Sequence, residues 1–343
     1  MPDIFDTRTM LAAVEQMPTA RRFLLQTFFN GGTPRTFASK SVDIDIIKGK
    51  RKMAPFVHPR LPGSVTLREG MRTDTYVPPY VQPKMETNAE MILKRAAGDN
   101  PYAVRTPLER AGLQLGKDLA DLDSQITRRE EWMCAQALTT GQVRVVGEGV
   151  DDTIDFLMAA DHKITLTTNQ WHTADGDPIG NLRAWKRKIA KDSGRTANTA
   201  ALSGEALDAF QSNERVMKQL NTRRVDLGLI KPETLPEGVT YLGYLNDPGV
   251  DLYGYDEWYV DDADTEQPMI PAGGLILGAT TTQNAMLYGA IQDLEAIESG
   301  LVEAARFPKS WVTPEPSARW LKVMAAPLAG LLEPDAFVYA KVV

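Results

Sequence analysis

Cysteine and histidine are nearly missing from this chain. Among 343 residues there is one cysteine, Cys134, and three histidines, His58, His162 and His172. A lone thiol excludes an internal disulfide, fits a reducing compartment, and reads most simply as a small buried hydrophobe. His162 and His172, with Asp161 and Asp175, are the one grouping from which a metal site could be imagined. They lack the i, i+4 spacing of a helical ligand pair and have no cysteine support. His58, between Val57 and Pro59, reads as a contact residue. The chain carries no GxSxG elbow, Walker A loop, GxGxxG or HExxH motif, and nothing favours a Ser-His-Asp arrangement. No catalytic, cofactor-binding or metal residue is therefore assigned.

Long apolar runs are missing as well. No window approaches 18 apolar residues, so no transmembrane helix is expected. The opening MPDIFDTRTMLAAVEQMPTARRF carries Asp3 and Asp6 and does not read as a signal peptide. Positive charge is in deficit: 38 Lys and Arg against 45 Asp and Glu give a net charge of −7. That excludes the basic face of a general nucleic-acid binder. The basic pairs Arg21–Arg22, Arg128–Arg129 and Arg223–Arg224 read as exposed partners of local acids.

What is present is extension. Residues 9–29 read as two short amphipathic helices broken at Pro18, followed by a turn cluster at 30–37. VDIDII from Val42 alternates like a strand, and KGKRK at 48–52 is a solvated basic run. Residues 53–80 read as a long hairpin or loop with a turn at 59–63, stiffened by Pro55, Pro59, Pro62, Pro78 and Pro79. The strip YVPPYVQP at 76–83 is too apolar for a free linker and has no obvious place in its own core.

Residues 106–141 carry the strongest helix signal. Thr106 caps, Pro107 takes the first position and Glu109 completes a capping box. Leu108, Leu115, Leu119, Leu122, Ile126, Met133 and Ala137 form one apolar stripe, and Gly141 ends the helix. Lys117, Asp118, Asp121, Asp123, Arg128 and Glu131 are placed on a solvated opposite face, so the helix is expected to lie across something rather than through a core. Strands follow within 142–166, helices at 178 onward, 204–212 and 213–221, Tyr- and Gly-rich strands at 239–260, a strand at 273–283 and a terminal strand FVYAKVV. The run DLYGYDEWYVDDADTE holds seven carboxylates but lacks the oxygen spacing of a calcium loop, and reads as a solvated acidic hairpin.

Three blocks carry a resemblance: YVPPYVQPKMETNAEMILKR (76–95), LILGATTTQNAMLYGAIQDLEA (275–296) and ARFPKSWVTPEPSARWLKVMAAPLAGLLEPDAFVYAKV (305–342), with LNTRR (220–224) as a weaker match. By these the chain resembles the lambda-type phage major capsid protein E family. The resemblance implies an α+β Hong Kong phage (Johnson) capsid fold: an N-terminal arm (1–38), an extended β-hairpin loop and its flanks (39–100), a peripheral domain with a spine helix (101–167), an axial domain (168–300), and a return to the peripheral domain (301–343). It implies a structural protein, not an enzyme. Copies would form hexamers and pentamers of an icosahedral tailed-phage head enclosing double-stranded DNA without sequence-specific binding. Scaffold, portal and decoration proteins would be its partners, no membrane would be involved, and assembly would take place in the host cytoplasm. YVPPYVQP would lie across an adjacent subunit. Lys52 and Lys84 lie in or beside the loop, and no crosslink is assigned to either. The alternative is an encapsulin-like bacterial nanocompartment shell; a soluble hydrolase using His162 or His172 is the reading from another class.

Overall fold

A computed structural model describes residues 5–16, 22–29, 34–47, 53–54, 56, 71–93, 106–147, 149–217, 233–234, 239–261, 264–315 and 317–343. The expectations for Pro18, Arg21, the basic run 48–52, His58, the turn 59–63 and LNTRR with Arg223–Arg224 lie outside the described residues, as does the second half of the helix at 213–221.

The helix Pro107–Thr140 is the axis of the fold. Its 34 residues at about 1.5 Å each make a rod of about 50 Å. The capping box forms as expected: the Glu109 N–H donates to Thr106 Oγ1 at 3.3 Å, and the Thr106 N–H donates to Glu109 Oε2 at 2.8 Å. Gly141 closes the helix with φ 71°, a left-handed conformation that glycine adopts without a Cβ penalty.

The apolar stripe serves two clusters. Leu115, Leu119, Leu122 and Ile126 pack with Met10 and Val14 of the helix Thr7–Gln16 and with Leu321 and Val323. Met133, Ala137 and Leu138 pack with Phe23, Leu24, Leu25 and Phe28 of the helix Phe23–Phe28, and with Leu287, Leu328 and Phe337. Two expectations are corrected here. Leu108, counted in the stripe, is 68% exposed. From Glu130 onward the helix does run through a core, since Glu130, Glu131, Cys134, Ala135 and Thr139 are buried along with the stripe.

A seven-stranded mixed sheet runs in the order Lys163–Thr165, Phe337–Lys341, Gly274–Gly278, Thr199–Leu202, Val250–Tyr255, Val239–Leu245, Glu233–Thr234. Both faces of its centre are covered. Leu275, Leu277, Ala200 and Leu202 meet the helices Pro178–Asp192 and Gly204–Ser212, whereas Ile276 and Ala201 meet the cluster around Phe28. A strand buried on both faces must be apolar throughout, as GLILG and TAAL are. Gly278 lies against aromatic rings on that second side: an added Cβ would overlap the Phe337 ring and come within 3.2 Å of Phe28. Gly278→Ala is expected to lower unfolding free energy by about 1–3 kcal/mol, read from urea denaturation.

The C-terminal segment 301–343 contributes strands to three sheets. Phe307–Thr313 and Ala318–Met324 form a hairpin joined by Lys84–Asn88. Pro327–Gly330 pairs with Ala285–Tyr288, which also pairs with Arg35–Thr36. Phe337–Lys341 enters the seven-stranded sheet between Lys163–Thr165 and Gly274–Gly278. The physical cause is that Phe337, Val338, Ala340 and Val342 are all completely buried, and only an interior position of that sheet covers both of their faces.

Candidate assembly surfaces and the junction that positions them

Among the described residues, three two-stranded ribbons stand apart from the larger sheets: Val42–Ile47 with Met71–Tyr76, Gln142–Gly147 with Val150–Asp155, and Trp258–Val260 with Glu266–Pro268. A lone two-stranded ribbon is marginal in water, and its outer edges present unpaired backbone groups. The first ribbon is the base of the expected long hairpin, in register from Val42↔Tyr76 to Ile47↔Met71. Beyond it Met53 and Phe56 are fully exposed. The second exposes Val146 and Val150; the third exposes Trp258 and Val260 at 52% and 58%. The last is also the acidic hairpin read from the sequence, with its turn tied by the Thr265 N–H donating to Asp261 Oδ1 at 2.9 Å. Between the second and third ribbons and the spine helix opens a cleft of about 570 Å³, lined by Tyr80, Arg129, Trp132, Val146, Val150 and Tyr259 among others. The Arg129 guanidinium lies 5.3 Å from the centre of the Trp132 ring, and the indole Nε1 is buried with no hydrogen-bond partner among the described residues.

The proline strip behaves differently from its expectation. Residues 76–83 have a place on their own chain. Tyr76 donates to the Asp155 carbonyl at 2.8 Å, Pro78 is buried against Gly289, and Val81 exchanges backbone hydrogen bonds with Ala325 at 2.8 and 2.9 Å. The N-terminal helices are covered in the same way: Met10, Phe23, Leu24 and Phe28 are buried within the chain. The prolines keep the strip extended as expected, but the surface that covers it begins with the chain's own sheets.

What holds these parts in place is a set of buried carboxylates that the sequence reading put in solvent. Asp118, Asp123 and Glu131, expected on a solvated face of the helix, are all buried, and so is Glu130. Arg306 answers two of them. Its Nε donates to Asp123 Oδ1 at 2.8 Å, while Nη1 and Nη2 donate to the two oxygens of Glu130 at 2.6 and 2.9 Å. Tyr288 donates to the same Glu130 at 2.9 Å. Burial opposes the charge on Arg306, but Glu130 and Asp123 more than offset it and raise the guanidinium pKa. Glu131 accepts from the Leu24 and Leu25 N–H groups at 2.7 and 3.2 Å and from Tyr255 at 2.9 Å. One turn of helix thus joins the arm, the seven-stranded sheet and the strand Ala285–Tyr288. Asp118 accepts from Thr87 at 3.1 Å and Gln114 at 2.7 Å. A signal was present in the sequence: the stripe steps from Ile126 to Met133, and Glu130 fills the place an apolar residue would take.

Tyr255 and Tyr288 have their pKa values raised, first by burial and then by Glu131 and Glu130 respectively; Tyr241 is pushed up to about 12 by burial and its hydrogen bond to Asp251. A phenol whose pKa is raised on folding stabilises the fold fully below its unfolded value of 10.0 and loses that contribution as pH climbs toward the folded value. Stability is therefore expected to fall from about pH 10 upward. Absorbance titration of tyrosinate should show these phenols ionising only with unfolding; early, non-cooperative ionisation of all ten tyrosines would contradict their burial.

His162 and His172 lie in different settings. His162 is fully buried, with Nδ1 2.6 Å from the Phe337 carbonyl and Nε2 3.1 Å from Asp192. His172 is exposed, and Asp161 is engaged by Lys188. Among the described residues no group of three His, Cys, Asp or Glu could hold a metal ion. Cys134 is buried, which raises its thiol pKa well above the usual value and suits the packing role expected of it.

A family model of the phage major capsid protein E matches residues 6–342. The chain belongs to that family. The major capsid protein of Escherichia phage lambda is 28% identical over 343 residues, 98% of each chain, and that of Enterobacteria phage P21 is 28% identical over 344 residues, 99% of each. A crystal structure of the putative capsid protein of a prophage of E. coli CFT073 shares the fold with a TM-score of 0.76, 21% identity and coverage of 98% of this chain and 99% of that one. An encapsulin complex from Synechococcus elongatus is more distant, with a TM-score of 0.50 and 10% identity over 100% of this chain and 91% of that one. This phage major capsid protein has the Hong Kong phage capsid fold, with the helix Pro107–Thr140 as its spine. As a capsid protein it is a component of a multimeric virion shell. Among the described residues of the capsid protein, no helix is long and apolar enough to cross a membrane.

Proposed function

We propose that copies of this capsid protein assemble as hexamers and pentamers of an icosahedral head that encloses double-stranded DNA. Assembly takes place in the host cytoplasm, with scaffold, portal and decoration proteins as partners. The observation that carries this is the pair of two-stranded ribbons that expose Val146 and Val150, and Trp258 and Val260, beside a well-packed core. Sister copies are the simplest cover for such edges, because every copy brings the same stiff edges and their partners. The role is mechanical: no residue is assigned to catalysis, to a cofactor or to a metal. We divide the chain into an arm (1–38), an extended loop with its flanks (39–100), a peripheral part built on the spine helix, and an axial part built on the seven-stranded sheet, to which we assign Phe337–Lys341. The net charge of −7 suits an interior that must release DNA, since strong phosphate binding would retain it.

The test is electron microscopy of particles purified after co-expression with the neighbouring head proteins of its phage. Closed shells with five- and six-fold clusters and double-stranded DNA inside are expected. Shells filled instead with a protein cargo would transfer the reading to an encapsulin-like compartment, and a small monodisperse species with hydrolytic activity would overturn both.

A further inference from the structure

The three-stranded sheet Phe307–Thr313, Ala318–Met324 and Lys84–Asn88 has one face that is covered over only half its length. Leu321 and Val323 turn inward to the spine helix. On the other face Phe307 and Met324 are roofed by Ile291 and Ala296, and next to them Lys309 is neutralised by Asp293 at 2.8 Å and Glu295 at 3.3 Å. The roof stops there. Beyond it Trp311 and Trp320, paired across the strands, stack at 6.4 Å and 16° and are partly exposed. The Lys84 ammonium lies 4.9 Å from the Trp320 ring centre, and that of Lys322 lies 5.9 Å from Trp311. Among the described residues neither ammonium has a carboxylate at ion-pair distance. Burial lowers the pKa of Lys322, with Lys309 and Lys84 acting in the same direction and Asp293 against. The open half is thus a flat aromatic floor carrying two cations with no ion-pair partner among the described residues, and one carboxylate, Glu86, opposite Trp320.

The chain itself carries a surface of the complementary kind. In the ribbon Trp258–Val260 with Glu266–Pro268, alternation places Trp258, Val260 and Glu266 on one face, and all three are exposed. The other face is occupied, since Tyr259 packs against Trp132 at 6.4 Å. Asp264 at the turn is exposed as well. Within one chain the two surfaces share no ring contact or ion pair among the described residues. The sheet packs against the spine helix at Leu115–Ile126, and the ribbon is anchored at Trp132, at a different level of the same rod.

We propose that the Trp311–Trp320 floor, with Lys84 and Lys322, seats the paired strands Trp258–Val260 and Glu266–Pro268 of a second copy. Trp258 and Val260 lie on the indoles, and Glu266 and Asp264 supply the missing anions. The roof already shows the chemistry within one chain, where Asp293 and Glu295 neutralise Lys309. The contact is head-to-tail, since floor and ribbon are different surfaces, and such contacts close into rings or extend across a lattice. The proposal rests on the shell reading and adds to it a specific pair of surfaces.

A charge swap tests it. The Lys84→Glu/Lys322→Glu and Asp264→Lys/Glu266→Lys pairs are each expected to raise the protein concentration needed for assembly about tenfold or more, because like charges then face each other. The four substitutions combined are expected to return it to within about threefold of the original, read by sedimentation velocity and electron microscopy. Circular dichroism and thermal melting confirm that each variant folds. If the reversed pair does not fold, Lys84→Gln/Lys322→Gln is expected to show a smaller rise of the same sign. Assembly of the reversed variants at the original concentration, or no rescue by the combination, overturns the proposal while leaving the shell reading intact. Loss of DNA from otherwise normal particles of the lysine variants also overturns it and makes the floor a nucleic-acid surface. Failure of the unaltered chain to assemble overturns the shell reading and this pairing with it.

Discussion

Arg306→Met is expected to cost about 3–5 kcal/mol of folding free energy, the usual effect of leaving a buried charge without its partner. The geometry explains the size. The guanidinium is 11% exposed and Glu130 is completely buried, so removing the cation strands a carboxylate in a low-dielectric site whose remaining donor is Tyr288. Asp123, only 8% exposed, loses its 2.8 Å partner at the same time. Methionine fills much of the volume, so the loss is electrostatic rather than a cavity. Urea denaturation of the unassembled chain measures it. A companion Arg306→Met/Glu130→Leu variant is expected to recover part of the loss, because an apolar pair no longer carries an uncompensated charge. A single variant as stable as the parent would show that the cluster does not hold the spine to the strand Ala285–Tyr288.

Glu131→Leu has the second largest expected effect, about 3 kcal/mol or more at ~1–3 kcal/mol for each buried polar group left without a partner. Two of those groups are the N–H donors of Leu24 and Leu25, and the third is the Tyr255 hydroxyl. The loss is expected to be local before it is global. Amide exchange in the helix Phe23–Phe28 should accelerate more than in Gly274–Gly278, because the first loses its anchor and the second keeps both covered faces. Tyr255→Phe, which removes one donor and leaves the carboxylate bonded to the arm, should cost about 1 kcal/mol. Equal acceleration in both segments would mean that Glu131 supports the core as a whole and does not specifically tether the arm.

Much of the architecture could be read from residues whose local chemistry and final environment agree. Thr106, Pro107, Glu109 and Gly141 mark the ends of the spine because caps depend on neighbouring residues alone. VDIDII alternates because a ribbon has two unlike faces. The errors have a common cause in long-range pairing. Asp123 and Glu131 look solvated in a helical projection, and their burial depends on Arg306 and Leu24, more than 100 positions away. The strip 76–83 looked homeless for the same reason, since its partners Asp155, Gly289 and Ala325 come from three distant segments. FVYAKVV was legible as a strand, but its neighbours were not, because apolarity on both faces specifies an interior position without naming the sheet. The Trp311–Trp320 floor emerged only once the register placed the two indoles opposite each other.

Hydrogen–deuterium exchange on assembled particles and on unassembled protomers of the same preparation tests the central claim most directly, that the ribbons are completed by sister copies. The ribbons Gln142–Gly147 with Val150–Asp155 and Trp258–Val260 with Glu266–Pro268 should exchange fast in the protomer and become strongly protected in the particle, while Gly274–Gly278 is slow in both. Ribbons that exchange equally fast in the two states would contradict the account.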